Sequence, residues 1–160
     1  MREIVRQVHV GIAGRCDIQT MLGIEPASPE PAGAVDVSWF RLLAEQVLQE
    51  FPNLTMQGIT LWHGTSASNY EWSACLLTQQ EFLVSQHYAI EEVIDRVGAG
   101  DAFSAGLLYG LASGRDARYA LEFATAAGCL KHTIPGDANR VSASEVEALM
   151  RGQGGGRMQR

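Results

Sequence analysis

Four glycines fall within the thirteen residues Gly98–Gly110, inside the segment DRVGAGDAFSAGLLYG that begins at Asp95. They stand among strong helix formers such as Leu107 and Leu108, although glycine inside a helix costs about 0.5–1 kcal/mol relative to alanine. Gly98 and Gly100 sit where an extended run, Ala89–Ile94, gives way to a helical pattern. Small residues at that junction leave backbone N–H groups pointing into open space and let a ligand approach the main chain. A helix N-terminus carries partial positive charge and unsatisfied donors, so it suits a phosphate. Asp101 lies beside those amides. An anion cradle formed by Gly98, Ala99 and Gly100 next to an acid meets the needs of phosphoryl transfer to a hydroxyl, with Asp101 as the base.

Other glycine-rich phosphate motifs fit poorly. A dinucleotide fingerprint wants a small residue where this chain has Phe103, and a P-loop wants Gly-Lys-Ser/Thr, whereas the single lysine is Lys131. The protein-kinase motif set is absent. Gly106 and Gly110, four residues apart, are read instead as positions where another helix packs closely.

The rest of the chain predicts an α/β fold with a largely parallel sheet, helices on its faces and an antiparallel hairpin at one edge. Met1–Val8 reads as the tail of a helix and His9–Ala13 as a short buried strand. Asp17 is expected to cap the short helix containing Ile18, Met21 and Leu22. Pro26, Pro29 and Pro31 mark a loop. Asp36 caps a helix whose apolar stripe is Trp39, Leu42, Leu43 and Val47, with Phe51 beyond it. Met56–Trp62 is a strand, His63–Asn69 a polar loop, and Trp72–Leu77 with Glu81–Val84 a hairpin turning at Gln79-Gln80. Gly114 closes one helix and Asp116 opens another that runs to Leu130. Ser142-Ala-Ser-Glu145 is a capping box for a last helix ending at Met150. One domain is expected over residues 1–150, followed by a disordered tail at 151–160.

Composition narrows the partners. A net charge of −6 with scattered arginines offers no basic face for nucleic acid or an acidic membrane. Cys16, Cys75 and Cys129 and the four histidines are dispersed without metal-ligand spacing. No signal peptide or membrane-length apolar run is visible, so a cytoplasmic location is expected.

Asp95-Arg-Val-Gly-Ala-Gly-Asp101 resembles the signature of the PfkB/ribokinase carbohydrate kinases, whose usual form is D-T-x-G-A-G-D. With Arg96 in the threonine position and Lys131-His-Thr-Ile-Pro-Gly-Asp137 downstream, it is most similar to the 2-keto-3-deoxygluconate kinase subgroup. The resemblance implies a ribokinase-like three-layer α/β/α fold, of which this chain would supply only the C-terminal, nucleotide-binding half. It implies ATP, magnesium and a small sugar acid as ligands, with a monovalent cation near Asp95, the residue that fixes the loop. Thr60, Gly64 and Ser66 would lie against the nucleotide phosphates and ribose, Ala127 near adenine, and Lys131 at a phosphate or at a solvated helix end. Departures are equally specific. Gly14 and Asp17 stand where the family has N-x-x-E, and Trp62 where it often has a small residue or arginine. They support an alternative, a nucleotide-binding unit without catalysis. A missing sugar lobe would expose apolar surface, to be covered by a second copy of this chain or by a complementing N-terminal lobe.

Overall fold

The computed structural model describes residues 1–26, 28, 35–64 and 69–152. The chain divides into two units, one formed by Met1–His63 with Ser73–Ser85, the other by Gly64–Trp72 with the residues from Gln86 onward.

The first unit opens with a single helical turn, α1 (Arg2–Val5), shorter than the sequence suggests, and a strand, β1 (Val10–Ile12). A three-residue helix, α2 (Arg15–Asp17), runs into a π-helical turn at Ile18–Leu22. Asp17 makes no capping hydrogen bond there, which corrects the expected N-cap; the turn continues directly from α2 and offers no fresh helix start. Helix α3 (Val37–Glu50) does start at a cap: the Asp36 carboxylate accepts from the Ser38 amide at 2.9 Å and the Trp39 amide at 3.4 Å. Its buried face is Trp39, Phe40, Leu43, Ala44 and Val47. Leu42, expected in that stripe, is 48% exposed; Phe40 and Ala44 take the core positions instead. Together with Ile18, Phe51, Ile59, Leu61 and Cys75, these residues build the first core.

Strands β2 (Met56–Gly64), β3 (Tyr70–Thr78) and β4 (Phe82–Val84) complete the sheet order β1-β2-β3-β4. Strand β1 runs parallel to β2, with Val10 opposite Met56 and Ile12 opposite Gly58. That arrangement needs a long crossover, and α3 lies within it. Strands β3 and β4 form the expected hairpin, Cys75 facing Val84 and Leu77 facing Phe82. The three residues between them allow only antiparallel pairing. Of the described pairings only β1 with β2 is parallel, so the sheet is mixed where a largely parallel one was expected.

In the second unit the beginning of β3 pairs antiparallel with β5 (Tyr88–Ile90), Tyr70 opposite Ile90 and Trp72 opposite Tyr88. The extended run expected through Ile94 stops at Ile90. Glu92 takes a left-handed φ of 55°, which breaks the strand, and the Ile94 amide donates to the His132 carbonyl instead of to a neighbouring strand. Three helices follow: α4 (Ala99–Ala112), α5 (Ala117–Lys131) and α6 (Ala143–Met150). Gly114, at φ 71°, ends α4. Asp116 caps α5 by accepting the Tyr119 amide at 2.7 Å. The capping box of α6 is complete in both directions, Ser142 with the Glu145 amide and Glu145 with the Ser142 amide.

Helices α4 and α5 meet along glycine and alanine. A Cβ at Gly106 would lie 2.8 Å from the Ala124 Cα, and one at Gly110 only 2.7 Å from the Ala120 Cα. The close packing expected of those two glycines is therefore what the structure has. Phe123, Ala126, Ala127, Leu130 and Val146 form the second core. No helix among the described residues is long and apolar enough to cross a membrane.

Candidate active site

The turn before α4 is assembled from one acidic side chain and several main-chain groups. Asp95 Oδ1 accepts from the Val97 amide at 3.0 Å, and Oδ2 accepts from the Gly136 amide at 2.8 Å. These bonds, the larger cause, and the charge of Lys131 hold the Asp95 carboxyl below its ordinary range. The Asp95 amide and the Ile94 amide both donate to the His132 carbonyl, at 3.2 and 2.9 Å. Residues 94–97 are thus stitched to residues 132–136.

Gly98 is the hinge of this arrangement. Its φ is 81°, and a Cβ would lie 2.1 Å from the Asp137 carbonyl oxygen. Both the conformation and the space demand glycine. From Gly98 the chain enters α4, where the Ala99 amide donates to the Arg96 carbonyl at 3.2 Å and the Ala102 amide to the Gly98 carbonyl at 2.8 Å. The Gly98, Gly100 and Asp101 amides have no acceptor among the described residues. The free donors therefore shift towards Asp101 relative to the expected trio, because Ala99, itself buried, is engaged within the turn. A Cβ at Gly100 would meet nothing within 4 Å, so that side of the helix end is open. Asp101, in the first turn of α4, is exposed.

The remaining candidates lie in different settings. Ala127 is buried in α5; its carbonyl accepts from Asn139 Nδ2 at 3.2 Å, and its methyl would lie 3.3 Å from a Cβ at Gly106. Lys131 is not at a solvated helix end: it is wholly buried, and its Nζ donates to the Ile134 carbonyl at 2.9 Å. Thr60 lies half-buried on β2 of the first unit, and Gly64, exposed, is the last residue of that strand. Trp62, two residues after Thr60, is 52% exposed. Ser66 lies outside the described residues.

Sequence reasoning passed over the support behind the turn. Trp72 Nε1 donates to the Thr125 carbonyl at 2.9 Å, and its ring fills the space that a Cβ at Gly128 would enter at 2.7 Å. The His132 ring meets that of Trp72 edge-on at 5.0 Å between centroids, and its Nδ1 donates to the Gly128 carbonyl at 2.8 Å. Burial, the first cause, lowers the His132 pKa. Gly128, inside an otherwise alanine-rich helix, was the one visible signal of a large ring nearby. Arg96 lies over Tyr70, 4.7 Å from the ring centroid, and donates to its hydroxyl.

The site can hold a phosphate by main-chain donors and offers an exposed carboxylate beside it. Among the described residues no cluster of three or more His, Cys, Asp or Glu could hold a metal ion. That is compatible with magnesium, which keeps several waters and binds chiefly through substrate phosphates and one or two carboxylates.

Residues 72–143 match the family described as pfkB family carbohydrate kinase. A 2-dehydro-3-deoxygalactonokinase of Haloferax volcanii is 38% identical over 61 residues, covering 38% of this chain and 19% of that protein. The crystal structure of 2-dehydro-3-deoxygluconokinase from Thermotoga maritima is 37% identical with a TM-score of 0.85, over 94% of this chain and 44% of that one. A PfkB family carbohydrate kinase from Listeria grayi follows at 28% identity and a TM-score of 0.77, over 94% of this chain and 43% of that one. The chain thus spans less than half the length of these relatives, and its fold is the ribokinase-like α/β fold. The stretch that carries Asp101 matches the pfkB carbohydrate kinase family, and the chain around it resembles part of a 2-dehydro-3-deoxygluconokinase.

Proposed function

We propose that this chain is the nucleotide-gripping part of a sugar kinase that moves a phosphoryl group from ATP to the primary hydroxyl of 2-keto-3-deoxygluconate, giving the 6-phosphate and ADP. The observation that carries this reading is the exposed Asp101 in the first turn of α4, next to unengaged amides at Gly98 and Gly100. Bound MgATP supplies the transferable phosphoryl group and offsets its charge. The chain's own part is positional and electrostatic. The Asp101 carboxylate takes the proton of the sugar hydroxyl as its oxygen bonds to phosphorus and the bond to the leaving ADP oxygen breaks. The amides at the head of α4 receive charge that builds on the transferring oxygens. Asp95 keeps those amides in register through Val97 and Gly136. Thr60, Gly64, Ser66 and Ala127 are the further nucleotide-side candidates carried over from the family pattern, whereas Lys131, expected there too, is buried and spent on the Ile134 carbonyl. No membrane or nucleic-acid partner is part of this reading, and its setting is cytoplasmic.

The test is a coupled ADP-release assay with 2-keto-3-deoxygluconate, and with its galactonate counterpart as competitor, on the chain as it stands. Asp101→Asn is expected to lower turnover by about 100- to 10,000-fold, the usual contribution of a general base. Unchanged turnover in that variant would remove Asp101 from the chemistry. A second reading, nucleotide binding without turnover, is supported by Gly14 standing where the family pattern has asparagine. It predicts calorimetric binding of ATP with no ADP released beyond the rate without protein.

A further inference from the structure

The family resemblance implies a monovalent cation beside Asp95, and the residues of this chain do not fit one. A metal ion of that kind needs several oxygens turned towards it, and here the Asp95 carboxylate and the His132 and Ile134 carbonyls are already engaged by donors. Asp95 Oδ1 and Oδ2 take the Val97 and Gly136 amides. The His132 carbonyl takes the amides of Ile94 and Asp95. The Ile134 carbonyl takes the Lys131 ammonium at 2.9 Å. Two side-chain cations border the same segment: Lys131, wholly buried, and Arg96, fixed over Tyr70 at 4.7 Å from its ring centroid. A buried ammonium is retained only where partners compensate its desolvation. Lys131 has such partners in the Ile134 carbonyl and, through space, the Asp95 carboxylate.

We propose that the ammonium of Lys131 stands in for a monovalent metal ion in this unit. It is a positioning residue. By drawing the carbonyl of Ile134 inward it sets the loop that continues to Gly136 and Asp137. Gly136 holds Asp95, and Asp137 abuts Gly98, so the loop fixes the direction of the amides ahead of Asp101. The functional meaning rests on the kinase reading above; the test does not.

Thermal unfolding of the chain is to be followed in potassium chloride, sodium chloride and choline chloride at equal ionic strength. A bound ion would raise the midpoint in a saturable way, because it stabilises the folded state alone. The native chain is expected to show the same midpoint in all three salts, and a saturable, potassium-specific rise would overturn the proposal. Lys131→Met is expected to unfold earlier in choline chloride and to recover in part with potassium, an exchange that a merely structural lysine would not produce. Lys131→Arg is expected to keep the indifference to salt. A methionine variant as stable as the native chain in choline chloride would also overturn it. Should that variant fail to fold, the native salt series and the arginine variant decide. Calorimetric titration with ATP and magnesium chloride in the same salts addresses the kinase reading separately, since an absence of heat in every salt tells against nucleotide binding while the unfolding series stands.

Discussion

Helix α4 carries glycines that do opposite things. At its middle, Gly106 and Gly110 are closed off: the backbone of α5 occupies the space where a side chain would begin. At its head, Gly100 faces nothing within 4 Å. Gly106 and Gly110 are explained by packing, and Gly100 is not. Amides left at an open, exposed helix end are satisfied by water or by a ligand, so the difference marks the head of α4 as the place to test for binding. Gly98 stands between the two cases, demanded by the Asp137 carbonyl and by its own positive φ, yet it directs the open end.

The contrast can be broken most severely at its closed end. Gly110→Val forces a branched side chain into the Ala120 backbone and is expected to lower unfolding stability by about 1–3 kcal/mol or more, measured by denaturant titration. Gly98→Ala should cost about 1–3 kcal/mol, for a strained φ held by the surrounding structure, with a greater loss if the Asp137 loop cannot yield. At the open end the sign reverses. Gly100→Ala is expected to raise stability by up to about 0.5–1 kcal/mol while weakening ATP binding, read by calorimetry. A destabilised Gly100→Ala protein with normal ATP affinity would dissolve the distinction between the closed glycines and the open one.

The smallest expected effect is a pH slope. Burial lowers the His132 pKa in the folded chain below its ordinary value of 6.5. The unfolded chain therefore binds the proton more readily. Stability from this group is present above about 6.5 and is lost as the pH falls through the folded-state value. Replacing His132 with glutamine should flatten that part of the stability profile. Asp95 adds a second loss at lower pH, below its ordinary value of 3.8, because its folded-state pKa is also depressed.

Local signals in the sequence carried much of this. The Asp36 and Asp116 caps, the Ser142–Glu145 capping box and the β3–β4 hairpin depend on neighbours a few residues apart, and such contacts leave a pattern in the chain. The turn at Gly98–Asp101 was legible for the same reason. Properties set by distant neighbours were not. Leu42 has the spacing of a core residue, but the fold turns it outward. Lys131 looks like a charge at a helix end until the loop through Ile134 closes over it. The break at Glu92 and the capture of the Ile94 amide by His132 ended a strand that the residue types alone would have prolonged.

The three tryptophans stand in three different surroundings, which gives the molecule its own optical reporters. Trp39 is sealed in the core of the first unit, Trp62 is half exposed, and Trp72 lies buried against the imidazole of His132 in the second. Emission from Trp39 and from Trp72, isolated by replacing the other indoles with phenylalanine, would follow the melting of each unit separately. Quenching of the Trp72 signal by a protonated imidazole would reveal when that ring takes up its charge.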